Sequence, residues 1–348
     1  MRLYFEKIEL RFLFPAGTSR GVLHKKPSWI IKSVENPQIV GECSVIPGLN
    51  KDYESDFQYE AKLNWVCDTF EALYDQLGAD NLLDFFCREL AHYPSILFGI
   101  ESLFYQIKMS LGNDPFESAF SKGDASIPIN GLIWMGSIDE MKDRVRQKMQ
   151  DGFTVLKFKI GALDFQSEYE LLSQVRKEFG AALEIRVDAN GAFEERNVSG
   201  VLAKLDAINV HSIEQPVRPG QRKLMREICQ ETSVPIALDE ELIGIHLIED
   251  KVEVLESIRP QYIILKPSLH GGLVGTLEWI SLAKEMGIGW WITSALESSI
   301  GLEVIARMVG FLNPSIPQGL GTGGLFENNF ESSLVIEKGT LKYKNVKK

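Results

Sequence analysis

The pattern of hydrophobic and polar positions changes twice along this chain of 348 residues. Residues 1–50 alternate between apolar and polar positions in runs such as LYFEKIELRF and WIIKSV, with turn residues between them. This alternation predicts an antiparallel meander. Residues 57–112 follow a helical period instead. In FGIESLFYQIKMSLG the apolar side chains recur at steps of three and four, and Gly112 ends the run, which predicts helices.

From Ile127 onward, short strand-like runs alternate with helical stretches. The eight runs are IPINGLI, TVLKFKIG, LEIRVDAN, HSIEQPV, VPIALDE, YIILKPS, GWWITSA and, the weakest, IPQGLG. Strand–helix alternation indicates parallel strands joined by crossover helices. Eight units in this length fit an α/β fold with a (β/α)₈-type barrel better than an open doubly wound sheet.

Two domains are expected from this change of pattern. We assign residues 1–122 to an α+β capping domain and residues 123–326 to the barrel. The late run GTLKYKNV is typical of one more strand, so residues 327–348 are expected to return to the capping domain.

Composition and charge exclude several classes of function. A net charge of −11 argues against nucleic-acid binding, which needs a basic surface. No apolar run is long enough to predict a membrane span, and MRLYFEKIEL is typical of a strand rather than a signal peptide. The four scattered cysteines indicate reduced thiols. We therefore expect a cytoplasmic protein that binds neither nucleic acid nor membrane, and the sequence is compatible with a homo-oligomer.

Three acidic residues end successive strand-like runs. Asp188, Glu214 and Asp239 are 26 and 25 residues apart, and Lys266 follows 27 residues later. In a barrel, the carboxyl ends of the strands share one rim, where active sites are found. A single acid at such a junction is commonly a helix N-cap. Three acids at matching positions instead favour a cation site, and carboxylates without His or Cys favour Mg²⁺, or Mn²⁺ as a substitute, over zinc.

Lys157 and Lys159 form a second feature of the predicted rim. Residues two apart on a strand share a face, and the apolar neighbours in VLKFKI indicate a buried strand rather than two surface lysines. Two ammonium groups beside a divalent cation should lower the pKa of a lysine toward that of a base. With Lys266 on the opposite side, the set fits removal of a proton from a carbon next to a carboxylate.

These motifs give the chain a specific resemblance. It resembles the enolase superfamily, in the muconate-lactonizing-enzyme-like subgroup, and within that subgroup it is most similar to the o-succinylbenzoate synthases of menaquinone biosynthesis. The motifs that carry the resemblance are Lys157/Lys159, Asp188/Asn190, Glu214-Gln215-Pro216, Asp239-Glu240 and Lys266-Pro267. Softer support comes from PAGTSRGVL, GECSVIPGL, PSILFGIES, SALESSIGL and GLGTGGLF.

The resemblance implies a role for each catalytic residue. Lys159 would remove the α-proton of a small carboxylate substrate, 2-succinyl-6-hydroxy-2,4-cyclohexadiene-1-carboxylate. Lys157 would lie beside Lys159 and tune its pKa. Lys266 would stabilise charge on the opposite face. The three acids would hold Mg²⁺.

The resemblance also implies a set of substrate contacts. The residues are Asn190, Arg186, Ser294, Ser298 and Gly321. Arg186 could equally form an ion pair at the bottom of the barrel, and the two serines could simply cap a helix. Thr18, Ser19 and Arg20 would lie on a capping loop over the substrate.

Other functions share the same residues. An N-acylamino-acid racemase or a dipeptide epimerase would use Lys159 and Lys266 as bases on opposite faces. A muconate-type cycloisomerase and a non-catalytic barrel are further alternatives. The run GLGTGG contains no acid to hold a dipeptide's amino group, which favours elimination. The complete set of lysines and acids argues against a non-catalytic protein.

Overall fold

An antiparallel sheet forms the N-terminal part of the molecule. The structure, a computed structural model, describes residues 1–18 and 21–344, without the side chains of residues 17 and 18. Ser19, Arg20 and the side chain of Thr18 therefore lie outside the described part. The sheet has three strands in the order β1-β2-β3: β1 Leu3–Thr18, β2 Gly21–Ser33 and β3 Val40–Ser44. This is the meander that the alternating pattern predicts.

Two helices pack on this sheet and form the rest of the cap. They are α1 Asp56–Glu89, which is kinked at Gly78, and α2 Pro94–Ser110. The helix α2 lies so close to β3 that a Cβ atom on Gly41 would come within 1.9 Å of the Gly99 carbonyl oxygen. Only glycine allows this approach, so the cap depends on it at this point.

A parallel sheet of seven strands follows in chain order. The strands are β5 Gly131–Ile133, β6 Val155–Lys159, β7 Glu184–Asp188, β8 Ser212–Glu214, β9 Ile236–Leu238, β10 Tyr262–Leu265 and β11 Gly289–Ile292. Their apolar runs are buried on both faces, as expected for parallel strands covered by helices. The described chain is thus an α/β protein with an antiparallel sheet as an N-terminal cap.

Helices connect the parallel strands and cover the outer face. They are α3 Ile138–Gln150, α4 Phe165–Phe179, α5 Glu195–Ala207, α6 Arg222–Glu231, α7 Ile248–Ile258, α8 Gly272–Glu285 and α9 Ser299–Leu312. A short 3₁₀ helix, Glu240–Leu242, follows β9. Several starts are capped by side chains; at α3, for example, Ser137 and Glu140 form a capping box.

The first and eighth predicted strands differ from the other six. The run IPINGLI divides into β4 Ser126–Pro128, which lies in another sheet, and β5. The run IPQGLG forms only two isolated bridges, from Gln318 to Ile129 and from Gly319 to Thr293. These bridges connect the two edges of the seven-stranded sheet. Backbone hydrogen bonds from Gln318 to Pro128 and from Gly319 to Ile292 accompany them.

The C-terminal segment contacts first the cap and then β4, which precedes the parallel sheet. The Glu327 amide donates to the Arg11 carbonyl oxygen of β1. The hairpin β12 Leu334–Glu337 and β13 Thr340–Tyr343 then pairs with β4. The strand expected in GTLKYKNV is present as β13, and the domain boundaries stay a prediction.

Two smaller expectations concern cysteines and membranes. All four cysteines have free thiols, and three of them are buried, as the scattered spacing predicts. None of the helices in the described residues combines the length and the apolar character that crossing a bilayer requires.

Candidate active site

The three predicted acids lie at the carboxyl ends of neighbouring strands. The register of β7 and β8 puts Asp188 beside Glu214, and Asp239 directly follows β9. Asp188 and Asp239 are fully buried and Glu214 is almost fully buried. The regular spacing in the sequence thus corresponds to one rim of the sheet, where the charges of the three carboxylates act on one another.

Three lysine ammonium groups lie among these carboxylates. Lys157 Nζ is 2.6 Å from Glu214 Oε2 and 2.9 Å from Asp188 Oδ2. Lys159 Nζ is 2.7 Å from the same Asp188 oxygen and also donates to Asn190 Oδ1 at 2.8 Å. Lys266 Nζ donates to Asp239 Oδ2. The lysines and acids that the spacing singles out therefore form one buried charged network.

Burial and neighbouring charges act in opposite directions in this network. Burial raises the pKa of Glu214 well above its usual value, and the charge of Asp188 adds to this rise. Burial also acts to raise the pKa of Asp188, but the ammonium groups of Lys157 and Lys159 outweigh it and hold that pKa well below its usual range.

The carboxylates around Lys157 decide the direction of its pKa shift in this structure, and the lowered lysine pKa expected beside a divalent cation stays a prediction. Burial would lower the pKa of Lys157, but the carboxylates of Asp188 and Glu214 outweigh burial and raise it above its usual value. The pKa of Lys266 is raised in the same way, because Asp239 and Glu214 outweigh its burial. The carboxylates that contact these lysines thus hold protons on them.

Two carboxylate oxygens in the site accept no hydrogen bond from the described residues: Glu214 Oε1 and Asp239 Oδ1, both buried. A buried acceptor without a partner is costly, and a divalent cation between the acids would satisfy both oxygens. Carboxylate oxygens without thiolate or imidazole are the ligand set that Mg²⁺ and Mn²⁺ take. The donor chemistry therefore fits such an ion.

The lysines limit the space between the acids. Across residues 1–18 and 21–344, no three His, Cys, Asp or Glu side chains are already grouped closely enough to hold a metal ion. Lys157 Nζ lies between Asp188 and Glu214 and contacts both. Binding of a cation by these two acids would require the Lys157 ammonium to move away from them.

A cavity of about 350 Å³ opens next to this network. Of the predicted site residues, it is lined by Lys157, Lys159, Asp188, Asn190, Lys266, Ser294 and Gly321. Glu214, Asp239, Arg186 and Ser298 are absent from its wall. The cavity brings lysines from β6 and from the end of β10 to one space, so a small molecule bound there would have an ammonium group on either side.

The predicted substrate contacts divide into two groups. Asn190 and Ser294 both face the cavity; Asn190 Nδ2 donates to Glu240 Oε1 at 2.9 Å, and the Ser294 hydroxyl lies 2.5 Å from the Thr322 hydroxyl. Gly321 also lines the cavity, and a Cβ atom there would meet nothing closer than 3.5 Å. These three residues lie where a substrate could contact them.

Arg186 and Ser298 lie away from the cavity wall. Arg186 forms an ion pair and Ser298 caps a helix, which are the structural alternatives given for them above. Arg186 Nε donates to Glu184 Oε1 at 2.7 Å, and its guanidinium stacks on Trp291 at 4.4 Å. Ser298 is the N-cap of α9 and donates its hydroxyl hydrogen to Glu42 Oε2 at 2.6 Å. Neither side chain lines the cavity.

Both histidines near the motifs have structural surroundings. His211 Nδ1 is 3.0 Å from the Ser212 hydroxyl and 3.8 Å from Glu184 Oε1, at the starts of β8 and β7 rather than at the ends that carry the acids. His270 is fully buried, and its Nδ1 accepts the Lys266 amide at 2.9 Å, which fixes the turn after β10. Neither lines the cavity.

Several residues that shape the site are not predicted by spacing. Gln215 Oε1 accepts the amides of Asp239 and Glu241, each at 3.1 Å, and so fixes the acid that follows β9. Thr322 contacts Ser294 and lines the cavity. Gln215 follows Glu214 in the motif and Thr322 lies inside GLGTGG, so the motifs contain both residues without indicating what either contacts.

The cap forms the remaining wall of the cavity. Residues 21–23 and 46–49 line it together with residues 293–296 of the loop after β11. Apart from Thr293, these stretches fall in PAGTSRGVL, GECSVIPGL and SALESSIGL, three of the five segments that carried the softer part of the resemblance. Those three segments therefore face the cavity.

Comparisons with known proteins give the same picture. Residues 140–345 match the family model described as enolase C-terminal domain-like. The o-succinylbenzoate synthase of Desulfotalea psychrophila is 41% identical to the chain and is aligned over 98% of each protein.

Solved structures agree in fold. The crystal structure of MenC from Desulfotalea psychrophila has a TM-score of 0.82 and 36% identity, and the match covers 98% of this chain and 99% of that one. A dipeptide epimerase from Enterococcus faecalis, complexed with Mg and the dipeptide L-Leu-L-Tyr, has a TM-score of 0.80 over 99% and 97% of the two chains. At 16% identity, that likeness concerns the fold alone. The chain belongs to the enolase superfamily and, within it, to the family of o-succinylbenzoate synthases.

Proposed function

We propose that this protein is a carbon–oxygen lyase, a dehydratase that converts 2-succinyl-6-hydroxy-2,4-cyclohexadiene-1-carboxylate to o-succinylbenzoate and water in menaquinone biosynthesis. The family supports this reaction, since the 41% identical relative of Desulfotalea psychrophila is an o-succinylbenzoate synthase. The observation that carries the assignment is that Lys159 and Lys266 line one cavity while each contacts a different carboxylate of the acid trio.

In this proposal Lys159, as the neutral amine, takes the α-proton from the carbon that bears the ring carboxylate. The electron pair of the broken C–H bond moves onto the carboxylate and forms an enediolate. When that pair returns to the ring, the neighbouring C–O bond breaks and the hydroxyl group leaves. The proton held by Lys159 is the one that the leaving hydroxide needs, so the products are o-succinylbenzoate and water.

Lys157 and Lys266 supply positive charge in this scheme and transfer no proton. Lys157 lies beside Lys159 on β6, and its ammonium adds positive charge next to the proposed base and contacts the substrate carboxylate. Lys266 faces the other side of the ring and stabilises the enediolate without moving a proton. Asn190, Ser294 and Gly321 contact the rest of the substrate, which supports a small carboxylate as the ligand.

Asp188, Glu214 and Asp239 would hold a divalent cation, which we propose to be Mg²⁺, with Mn²⁺ as a substitute. Bound there, the ion would supply positive charge for the two enediolate oxygens. The partnerless oxygens of Glu214 and Asp239 support this assignment.

Racemisation of N-acylamino acids or epimerisation of dipeptides is the second candidate. The presence of Lys159 and Lys266 on two sides of one cavity favours it as well, because a racemase needs a base on each face. Against it, the loop that contributes Gly319, Gly321 and Thr322 to the cavity carries no acid for an amino group.

A comparison of substrates tests the proposal. The protein is incubated with Mg²⁺ and the cyclohexadiene acid, and separately with N-acetyl amino acids and dipeptides, and kcat/KM is measured for each. We expect the cyclohexadiene acid to be preferred by at least about 10³-fold, roughly 4 kcal/mol of transition-state stabilisation. A preference for the amino-acid substrates would overturn the dehydratase assignment and support the second candidate.

Three further points are part of the proposal. We infer that the bridges at Gln318 and Gly319 represent the eighth strand of a complete (β/α)₈-type barrel. The protein is cytoplasmic and binds neither nucleic acid nor membrane, in keeping with its net charge of −11. Any assembly that it forms is proposed to be a homo-oligomer.

A further inference from the structure

A second polar cluster lies buried between the cap and the cavity wall, outside the catalytic network. Lys26 of β2 is fully buried, and its ammonium donates to the Ser44 hydroxyl at 2.6 Å and to the Leu296 carbonyl oxygen at 3.0 Å. No carboxylate oxygen of the described residues lies within ion-pair distance of Lys26 Nζ. A buried ammonium that is not paired directly is costly, so its place in the fold has to be explained.

The carbonyl that Lys26 holds belongs to an unusual residue. Leu296 has φ of 60°, in the left-handed region that bulky residues seldom adopt. Leu296 also lines the catalytic cavity. Since the hydrogen bond to Lys26 fixes the orientation of the Leu296 peptide group, it also fixes the direction in which the Leu296 side chain points.

Two buried carboxylates secure the same loop on either side of Leu296. Glu297 accepts the Ala295 amide at 2.7 Å and the Ser268 hydroxyl at 2.5 Å. Glu42 of the cap accepts the Ser298 amide at 2.9 Å. Both carboxylates are close enough to Lys26 for their charges to oppose the effect of burial on its ammonium. The loop 294–298 is therefore fixed from the cap as well as from the barrel.

We infer that Lys26 is a positioning residue: from the cap, it holds Leu296 in the left-handed conformation and so sets the wall of the cavity that selects among small carboxylate substrates. This inference rests on the proposed function only for the identity of the preferred substrate. Lys26 does not itself line the cavity, so its effect on catalysis passes through Leu296.

The main test is Lys26→Met, which keeps most of the length of the side chain and removes its ammonium. We expect Leu296 to relax toward an ordinary backbone conformation, which changes the cavity wall and leaves Lys159 in place. KM for the cyclohexadiene acid should then rise about tenfold while kcat stays within about threefold. The preference for this acid over N-acetyl amino acids should fall as well. An unchanged KM in a folded variant would overturn the inference.

Two matched controls separate positioning from general damage to the cap. Lys25→Met removes an exposed ammonium from the same strand, where it pairs with Glu9 at 2.8 Å. Glu101→Gln weakens another buried contact between cap and barrel, in which Glu101 accepts the Leu273 and Val274 amides at the start of α8. Neither control should change KM, although Glu101→Gln should lower thermal stability. A rise in KM equal to that of Lys26→Met in either control would contradict a specific role for Lys26.

A double-mutant cycle tests the route through Leu296. Glycine adopts φ of 60° without strain. In a Leu296→Gly background, the hydrogen bond from Lys26 is therefore no longer needed to keep residue 296 in the left-handed conformation. The KM increase caused by Lys26→Met should shrink from about tenfold to less than about twofold in that background. Equal effects in both backgrounds would show that Lys26 acts independently of Leu296.

Ser44→Ala covers the case in which Lys26→Met does not fold. It removes one of the two hydrogen-bond partners of the ammonium, and amide hydrogen exchange of residues 293–298 should become faster while the rest of the barrel is unaffected. Unchanged exchange together with unchanged KM would contradict the inference.

Failure of the proposed function would be recognised separately. If the wild-type protein does not turn over the cyclohexadiene acid, the dehydratase assignment is wrong, and the Lys26 comparison is made with the N-acylamino acid or dipeptide that it does turn over. If the wild type is a dehydratase and Lys26→Met behaves like Lys25→Met, only the inference on Lys26 fails.

Discussion

The two sides of the catalytic cavity present their lysines in different settings. On the β6 side, Lys157 and Lys159 share one oxygen of Asp188, and Lys159 also contacts the neutral amide of Asn190. On the opposite side, Lys266 is the one lysine among the described residues that line the cavity, and it contacts Asp239. Both Lys159 and Lys266 contact a carboxylate, but Lys159 also has the Lys157 ammonium beside it, whereas Asp239 raises the pKa of Lys266 against the effect of burial. In our proposal the first lysine is the base and the second is a stabilising cation.

The largest effect should come from Lys159→Ala. Because this lysine is the proposed base, kcat should fall by about 10⁴-fold. Circular dichroism and thermal unfolding should match the wild type, since the side chain borders a cavity. Lys223→Ala is the matched control, because that lysine has 93% of its side chain exposed on α6 and should leave kcat unchanged. Near-normal turnover by Lys159→Ala would mean that the base is another residue.

Lys266→Gln sharpens the difference between the two sides. If Lys266 only stabilises charge, kcat for dehydration should fall by about 10²- to 10³-fold, less than for Lys159→Ala. The same variant tested on a single enantiomer of an N-acetyl amino acid in D₂O should still exchange its α-proton through Lys159. A loss of dehydration as large as that of Lys159→Ala would instead indicate that both lysines transfer protons.

Asp239→Asn tests the acid on the Lys266 side as a ligand. Affinity for a hard cation falls with the number of charged ligands, so the Kd for Mg²⁺ should rise by at least about tenfold in calorimetric titration. Asp250→Asn, at an exposed position of α7, should bind Mg²⁺ like the wild type. Unchanged affinity in Asp239→Asn would remove this residue from the proposed ligand set.

The smallest effect should follow Ser294→Ala, which changes the cavity wall away from both lysines. Loss of the hydroxyl that faces the cavity and contacts Thr322 should raise KM for the cyclohexadiene acid by about threefold to tenfold, with kcat nearly unchanged, since one uncharged hydrogen bond contributes about 1 kcal/mol. The exposed Ser281→Ala serves as the control. A KM within experimental error of the wild type would exclude Ser294 as a substrate contact.

The barrel side of the site could be predicted from the sequence because it repeats. Asp188, Glu214 and Asp239 each end an apolar run, and parallel strands bring such ends to one rim. Alternation likewise predicts that Lys157 and Lys159 share a face. A local period of this kind needs no knowledge of contacts between distant parts of the chain.

Depth along a strand and contacts with the cap could not be predicted in this way. Arg186 points to the same face of β7 as Asp188, but it lies two residues earlier on the strand and therefore roughly 7 Å farther from the rim. Its guanidinium contacts Glu184 and Trp291 instead of a substrate. The contact between Ser298 and Glu42 joins residues 256 positions apart. The left-handed conformation of Leu296 depends on such contacts, and no local pattern in the sequence reports them.

The weakest predicted strand shows the same limit. IPQGLG has too few apolar residues for a clear period, and only Gln318 and Gly319 bridge the edges of the sheet. A Cβ atom on Gly319 would lie 2.3 Å from the Thr293 hydroxyl oxygen. The glycine is therefore needed for close packing with the neighbouring strand, in a run whose glycines alone suggest only a turn.

The most direct measurement is a crystal structure of the protein with Mn²⁺, with the ion located by its anomalous scattering. The account predicts one peak bonded to carboxylate oxygens of Asp188, Glu214 and Asp239, with the amines of Lys159 and Lys266 on opposite sides of the adjoining cavity. A peak bonded to other residues, or these three acids still paired only with lysines at saturating Mn²⁺, would contradict it.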